Sequence, residues 1–127
     1  MESAKNGTIR LNRVDGIPSV DVHGEVDISD VRHLNAALQT AGQTDAGAVI
    51  VSLENATYFD SSAIHALASC RARLAISGQS LLIVQPTVKS GRRILEIAGL
   101  LRDQTVFASR DEAIEAAKRL SAERRRD

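Results

Sequence analysis

The feature that most constrains the fold is a pair of short apolar runs separated by a helix-forming stretch. The runs, Ala48 to Leu53 and Ser80 to Val84, have the length and continuity of strands buried on both faces. Between them, residues 61–77 are rich in alanine, and Gly78 provides a stop. A strand, a helix and a strand in this order predict parallel strands joined by a right-handed crossover.

The segments on either side continue this alternation. Thr8 to Val14 and Ser19 to Gly24 alternate apolar and polar residues around a turn signal at residues 15–18, which predicts an antiparallel hairpin. Residues 24–27 are then expected to leave the sheet, and residues 54–57 to link the first apolar run to the helix. A helix is predicted from Ser29 or Asp30 to about Ala41, where Gly42 stops it. A second helix is predicted over residues 91–100 and a short strand over residues 105–108. A last helix is predicted to begin at a cap formed by Ser109 or Asp111.

These elements predict an α/β sandwich on a mixed sheet of four to five strands, with an opening β-hairpin and about four α-helices. Residues 1–127 are predicted to form a single domain with its core at about residues 8–120. The central helix is expected to turn Ile64, Leu67, Ala68, Leu74 and Ala75 towards this core. Residues 1–7 are expected to form a short, flexible N-terminus, and the basic end, Arg124 to Asp127, is expected to be solvated and frayed.

Charge and composition argue against several classes of function. Sixteen basic and sixteen acidic residues cancel, so the whole chain carries no electrostatic attraction for nucleic acid or an anionic membrane. Aromatic residues make up only 2%, which argues against recognition by stacking. The single cysteine, Cys70, excludes an intrachain disulfide and is expected in the core. No apolar run reaches the length of a membrane span, so we expect a cytoplasmic protein without membrane insertion.

The most informative polar stretch is Asp60-Ser61-Ser62, at the predicted start of the central helix. Asp60 or Ser61 can accept a hydrogen bond from an unpaired backbone N–H of the first helical turn. The same position exposes a hydroxyl beside the positive end of the helix, where a phosphate is tolerated. Two interpretations stay open on these residues alone, a helix cap and a modification site.

The stretch from Tyr58 to Ile64 resembles the signature of the anti-sigma factor antagonists of the STAS domain family. In that signature an aromatic and apolar pair precedes an aspartate and two hydroxyl residues. Three further pieces occur in the same order, and the similarity extends from about Thr8 to Leu120. They are Gly24 to Asp27, Val49 to Glu54, and Glu96 to Leu100.

The resemblance implies a bacterial partner-switching regulator of the stress-response type, without a cofactor and without enzyme activity. It implies binding to an anti-sigma factor of the serine kinase type, release when that kinase phosphorylates Ser61, and restoration by a phosphatase. The implied partner-binding residues are Asp27, Asp60, Ser61, Ser62, Ala63, Ile64 and His65. Asp27 is equally well interpreted as the cap of a turn.

This chain departs from the resembled signature at two positions, where Ala63 and His65 replace glycines. The departures favour, as a second hypothesis, a constitutive STAS scaffold or accessory subunit of a transport or stress-signalling complex. A hydrolase built on Ser61 and His65 ranks last, because Asp60 is poorly placed to orient the imidazole. His23, His33 and His65 lack metal-ligand spacing, so no metal site is expected.

Overall fold

The computed structural model describes residues 7–89, 92–93, 96 and 106–126. Within these residues, five strands form one sheet, and three helices pack on it. The predicted helix over residues 91–100 falls largely outside the described residues. The strands are β1 (Gly7–Val14), β2 (Ile17–Val26), β3 (Ala48–Phe59), β4 (Ser80–Val84) and β5 (Val106–Phe107), and the helices are α1 (Val31–Ala41), α2 (Ser61–Ile76) and α3 (Arg110–Arg126).

The sheet has the order β1-β2-β3-β4-β5. β1 and β2 are antiparallel, and every other neighbouring pair is parallel. The predicted α/β class, the mixed sheet and the opening hairpin are therefore confirmed. The hairpin turn is tighter than predicted, because Asp15 (φ 52°) and Gly16 (φ 80°) form a two-residue connection and Val14 pairs with Ile17. Two successive residues with positive φ suit the right-handed twist of a hairpin.

β2 and β3 are both longer than the sequence predicts. β2 continues to Val26 instead of leaving the sheet at Gly24, and β3 continues through the predicted link to Phe59. The register between β2 and β3 shifts at two places. As a result, β3 contains two more residues than β2 between the Ser19–Ile50 pair and the Val26–Phe59 pair. Each shift interrupts the two-residue alternation of side chains, which is why periodicity does not reveal the second half of β3.

Helices cover both faces of the sheet. α1 and α2 lie on one face, where Leu34, Leu67, Val51 and Phe59 belong to the larger buried cluster. On the other face α3 packs through a smaller cluster that includes Ala113 and Ala117 against Ile50 and Leu82. β3 contributes to both clusters, so the strand that leads to α2 is held from both sides.

The predicted inward face of α2 is confirmed at Leu67 and Leu74, but its centre is wrong by about one position. The buried residues are Ala63, Ala66, Leu67, Cys70 and Leu74, whereas Ala68 and Ala75 are exposed and Ile64 is half-buried. The alanine-rich sequence accounts for the error, since small residues on several sides leave the phase of the helix poorly determined. Cys70 lies in the core, as predicted, and burial raises its pKa although the positive charge of Arg73 acts in the opposite direction.

Gly42 ends α1 as predicted, but a left-handed cap is not the reason. Its φ is −75°, and a Cβ built at this position would lie 3.0 Å from Cδ2 of Leu74. The glycine therefore allows the end of α1 to approach α2. Gly47 has a comparable role at the start of β3, where a Cβ would lie 2.5 Å from the backbone oxygen of Leu120 in α3.

The basic end of the chain is more ordered than predicted. α3 continues to Arg126, and Nη1 of Arg124 donates a hydrogen bond of 2.6 Å to the backbone oxygen of Ser77, just beyond α2. A nearby hydrogen bond of 2.9 Å runs from the backbone N–H of Gly47 to the Ser121 hydroxyl. Two polar side chains of α3 thus form hydrogen bonds that connect this helix to the segment preceding β3 and to the end of α2. The N-cap of α3 is one of the two predicted residues, Ser109, whose hydroxyl accepts from the N–H of Glu112 at 3.2 Å.

Candidate functional site

Asp60 caps α2, one of the two alternatives that the sequence offered. Its backbone is extended (φ −98°, ψ −174°), and its Oδ1 accepts hydrogen bonds from the N–H groups of Ser62 (3.0 Å) and Ala63 (3.3 Å). The Ser62 hydroxyl donates to the same oxygen. The Asp60 carboxylate therefore satisfies part of the first turn, and Ser61 is not needed for capping.

Ser61 is the first residue of α2 and is exposed. No hydrogen bond joins the Ser61 hydroxyl to any of the described residues. The hydroxyl thus stands at the positive end of a helix, reachable from outside. Such a position allows another protein to approach and modify it.

The residues after Ser61 differ in how far their side chains can be reached. Ser62 and Ile64 are half-buried, and Ile64 packs against the larger core cluster. Ala63 was predicted to bind a partner, but it is only 2% exposed, so its side chain is not accessible to one. His65 is exposed, and it follows Ser61 by one helical turn. Ser61 and His65 are therefore the two predicted residues of this segment with exposed side chains.

Asp27 lies at the same edge of the sheet as Asp60. Val26 pairs with Phe59, and the N–H of Asp60 donates to the backbone oxygen of Val26 at 3.4 Å, so Asp27 and Asp60 follow the ends of neighbouring parallel strands. Two of the predicted site segments, far apart in the sequence, are thereby brought together.

The Asp27 carboxylate is fully exposed and organises the loop before α1. It accepts hydrogen bonds from the Ser29 hydroxyl (2.6 Å) and the Ser29 N–H (2.9 Å), and these lower the pKa of Asp27 below its ordinary value of 3.8. Asp30 occupies the N-cap position of α1, yet its side chain accepts from the N–H of Asp27 at 3.2 Å and makes no cap hydrogen bond. Asp27 is thus a charged turn residue on an accessible loop, which agrees with both interpretations of it.

A groove of about 680 Å³ runs between α1 and α2 and begins at Ser61. Its described lining contains no acidic residue, and the titratable side chains in it are His65 and Arg73. The polar lining is otherwise neutral and comes from both helices. It includes Asn35 and Gln39 from α1, and Ser61 and Ser69 from α2.

Two exposed apolar residues near this edge were not singled out from the sequence. Ile28 is 76% exposed in the loop after Asp27, and Tyr58 is 49% exposed at the end of β3, where it pairs with Glu25. Tyr58 belongs to the signature stretch, but nothing in the sequence around Ile28 predicts its exposure. Single exposed apolar residues are ordinary and only a contiguous patch marks a site of association, so these two residues add apolar area near the site without defining it.

The hydrolase hypothesis gains no support from this arrangement. The carboxylate of Asp60 points into the first turn of α2, and no hydrogen bond joins Ser61 to His65 in the part of the chain that the structure describes. Within the same residues, no group of three or more histidine, cysteine, aspartate or glutamate side chains is placed to hold a metal ion. A helix with the length and apolarity to cross a bilayer is likewise not found among them.

The sequence matches the STAS domain family over residues 8–113, which is most of the chain. The protein therefore belongs to the STAS domain family, as the resemblance of the signature predicted. No curated protein sequence matches the chain at a significant level.

Solved structures with a similar fold come from both regulators and transport proteins. An anti-sigma factor antagonist from Mycobacterium paratuberculosis has a TM-score of 0.79 at 21% identity, with 88% of this chain and 94% of that chain covered. The anti-sigma factor antagonist SpoIIAA in its unphosphorylated form has a TM-score of 0.76 at 21% identity, covering 87% and 96%. A sulfate transporter family protein from Wolinella succinogenes has a TM-score of 0.72 at 19% identity, covering 87% and 92%. These likenesses establish a fold that proteins of both kinds share.

Proposed function

We propose that this protein is an anti-sigma factor antagonist that switches partners through Ser61. With Ser61 unmodified it binds an anti-sigma factor of the serine kinase type, and phosphorylation of Ser61 releases it. A phosphatase returns it to the binding form. The observation that carries the proposal is the exposed Ser61 hydroxyl on the first turn of α2, with capping left to Asp60. The proposal places the protein in the bacterial cytoplasm, as the sequence predicts, and treats the chain as a single STAS domain.

The local structure is compatible with both states of such a switch. A phosphate adds about −1.5 to −2 charges and three acceptor oxygens. Near the start of a helix the dipole favours this charge by about 0.3–1 kcal/mol. The Asp60 cap does not involve the Ser61 hydroxyl, so modification leaves its hydrogen bonds in place. The fold is therefore expected to survive phosphorylation, and SpoIIAA, a similar structure, has been solved in both an unphosphorylated and a phosphorylated form.

The surface around Ser61 suits a protein partner in the unmodified state. Ile28 and Tyr58 supply exposed apolar area, and Asp27 supplies a charge. A phosphate placed among such contacts stays hydrated and repels acidic partner groups. A loss of about 3 kcal/mol of binding free energy corresponds to roughly a hundredfold weaker affinity, which is enough to exchange partners.

The test compares wild type with Ser61→Ala, Ser61→Asp and a matched serine control. Ser69 lines the same groove two turns further along α2, so Ser69→Ala makes the same chemical change away from the helix start. Incubation with the kinase partner and ATP should add one phosphate to wild type and to Ser69→Ala, and none to Ser61→Ala, as read by intact mass spectrometry. Stoichiometric modification of Ser61→Ala would show that the proposed phosphoacceptor is wrong.

Binding provides the second half of the test. By calorimetry, Ser61→Ala should bind the kinase as wild type does, and Ser61→Asp should bind about tenfold or more weakly because it introduces a charge at the hydroxyl position. Equal affinities of the two variants would contradict a switch that depends on charge at residue 61.

The second candidate is an accessory STAS subunit of a transport complex without a phosphorylation switch. The similarity to the sulfate transporter family protein from Wolinella succinogenes favours it, as do Ala63 and His65 at positions where the resembled signature has glycines. Recovery of a transporter from the native cell with the tagged protein, at the same yield for wild type and Ser61→Asp, would support this candidate over the first.

A further inference from the structure

Three backbone donors at the start of α2, after Ser61 itself, are already in use. The N–H groups of Ser62 and Ala63 donate to Oδ1 of Asp60, and the N–H of Ile64 donates to the Asp60 backbone oxygen at 3.2 Å. A phosphate on the Ser61 hydroxyl can use these groups only by displacing Asp60. Beyond the N–H of Ser61 itself, its oxygens are left to water or to a side-chain donor that lies within reach.

His65 is placed to be that donor. It follows Ser61 by four residues in α2, both side chains are exposed, and both line the groove between α1 and α2. Side chains four residues apart on a helix are neighbours, with about 5–6 Å between their Cβ atoms. In the described part of the chain no other group holds the imidazole. Protonated imidazole offers two N–H donors, and a hydrogen bond between charged groups is stronger than a neutral one.

The described lining of the groove contains no acidic side chain that would pair with His65 in place of a phosphate. The α1 residues that face it, Val31, Asn35 and Gln39, are uncharged. From α2, Arg73 lines the groove eight residues beyond His65, about 12 Å along the helix axis, and it adds positive charge. The Asp60 carboxylate, which precedes Ser61 in the chain, is engaged with Ser62 and Ala63. Among the described residues that line the groove, His65 in its protonated form is therefore the cationic group that lies closest to Ser61 along α2.

We propose that His65 pairs with the phosphate on Ser61 and holds the modified serine against its own helix. The inference rests on the proposed function, because it concerns the same serine. It makes the released state of this protein more persistent, since a phosphate engaged by His65 must break that contact before a phosphatase can act on it. The resembled signature has a glycine at this position, so the device belongs to this chain's own sequence.

The experiment needs no kinase. Phosphoserine is installed at residue 61 of the full chain during synthesis, in wild type and in the His65→Asn and His65→Arg variants. Phosphorus NMR then follows the second ionisation of the phosphate, which ordinarily has a pKa of about 6. His65→Asn removes the charge, whereas His65→Arg supplies a charge that does not titrate. The helix dipole and Asp60 act equally in all three proteins, so the differences report on residue 65.

The phosphate pKa should be lower in wild type and in His65→Arg than in His65→Asn, by about 0.3 pH units or more. That shift corresponds to about 0.4 kcal/mol, the size of an exposed charge pair four residues apart on a helix. Equal values in wild type and His65→Asn, or no shift in His65→Arg, would overturn the pairing. Loss of the His65 pairing would not contradict phosphorylation of Ser61 by a kinase. Conversely, if no kinase modified Ser61, the proposed function would fail, but the measured pairing of His65 with the phosphate would still hold.

Discussion

Replacing the capping residue Asp60 separates the stability of α2 from the chemistry of Ser61. Asp60→Ala removes the acceptor of two backbone N–H groups, at 3.0 and 3.3 Å, and of the Ser62 hydroxyl. Loss of a capping side chain costs about 0.5–2 kcal/mol. Because Asp60 is half-buried and serves three donors, we expect a loss of about 1–2 kcal/mol in the free energy of unfolding.

The matched variant is Asp60→Asn, which keeps an acceptor oxygen of the same reach and ranks with aspartate as a capping residue. It loses the favourable charge at the helix start, about 0.3–1 kcal/mol, and should therefore be destabilised less than Asp60→Ala. Urea unfolding of the three proteins, with the denaturant slope unchanged, measures both differences. If Asp60→Ala unfolds at the same urea concentration as Asp60→Asn, the hydrogen bonds assigned to the cap do not stabilise this helix.

Two further predictions concern the Asp27 loop and the contact between α3 and β3. Ser29→Ala should return the pKa of Asp27 towards its ordinary value, measured by NMR titration of the carboxyl carbon, since the Ser29 hydroxyl is the largest cause of the lowering; an unchanged pKa would contradict this. A lowered folded-state pKa stabilises above the unfolded-state value, so any stability difference between wild type and Ser29→Ala should be present at neutral pH and disappear as the pH falls below about 3.8. Gly47→Ala places a methyl group 2.5 Å from the backbone oxygen of Leu120 and should lower the melting temperature by several degrees, whereas Gly16→Ala, which meets no atom within 4 Å, tests backbone strain alone. A melting temperature for Gly47→Ala within a degree of wild type would show that α3 does not need this close approach.

The sequence predicts those strands and helices whose pattern of apolar residues is unambiguous. Continuous apolar runs identify the first half of β3 and the whole of β4, because strands covered on both faces need them. The second half of β3 is missed because two register shifts remove the alternation on which the prediction depends. The inward face of α2 is missed for a different reason, since alanines on several sides support more than one phase.

At the candidate site, the sequence predicts the cap and the hydroxyl but not their surroundings. Asp60 and Ser61 could be singled out because aspartate and serine are strongly preferred where a helix begins, and the start of α2 could be located from the sequence. That Asp27 lies beside them depends on the pairing of Val26 with Phe59, which no local pattern contains. The exposure of Ile28 is likewise a property of the folded loop. The proposed roles of these residues in partner binding stay predictions until the binding experiments are done.

The two register shifts in β3 also determine how the position of Ser61 is specified. Val49, Val51 and Leu53 face the larger core cluster, Ala56 does so after one shift, and Phe59 does so after the second. Because the irregular stretch takes up two extra residues, the location of Ser61 is fixed by the pairing of Phe59 with Val26, two residues before it, and not by the start of β3 at Ala48. We therefore expect that a residue inserted or deleted between 54 and 57 leaves the Ser61 hydroxyl at the same point in space. A length change between Phe59 and Ser61 has no such tolerance.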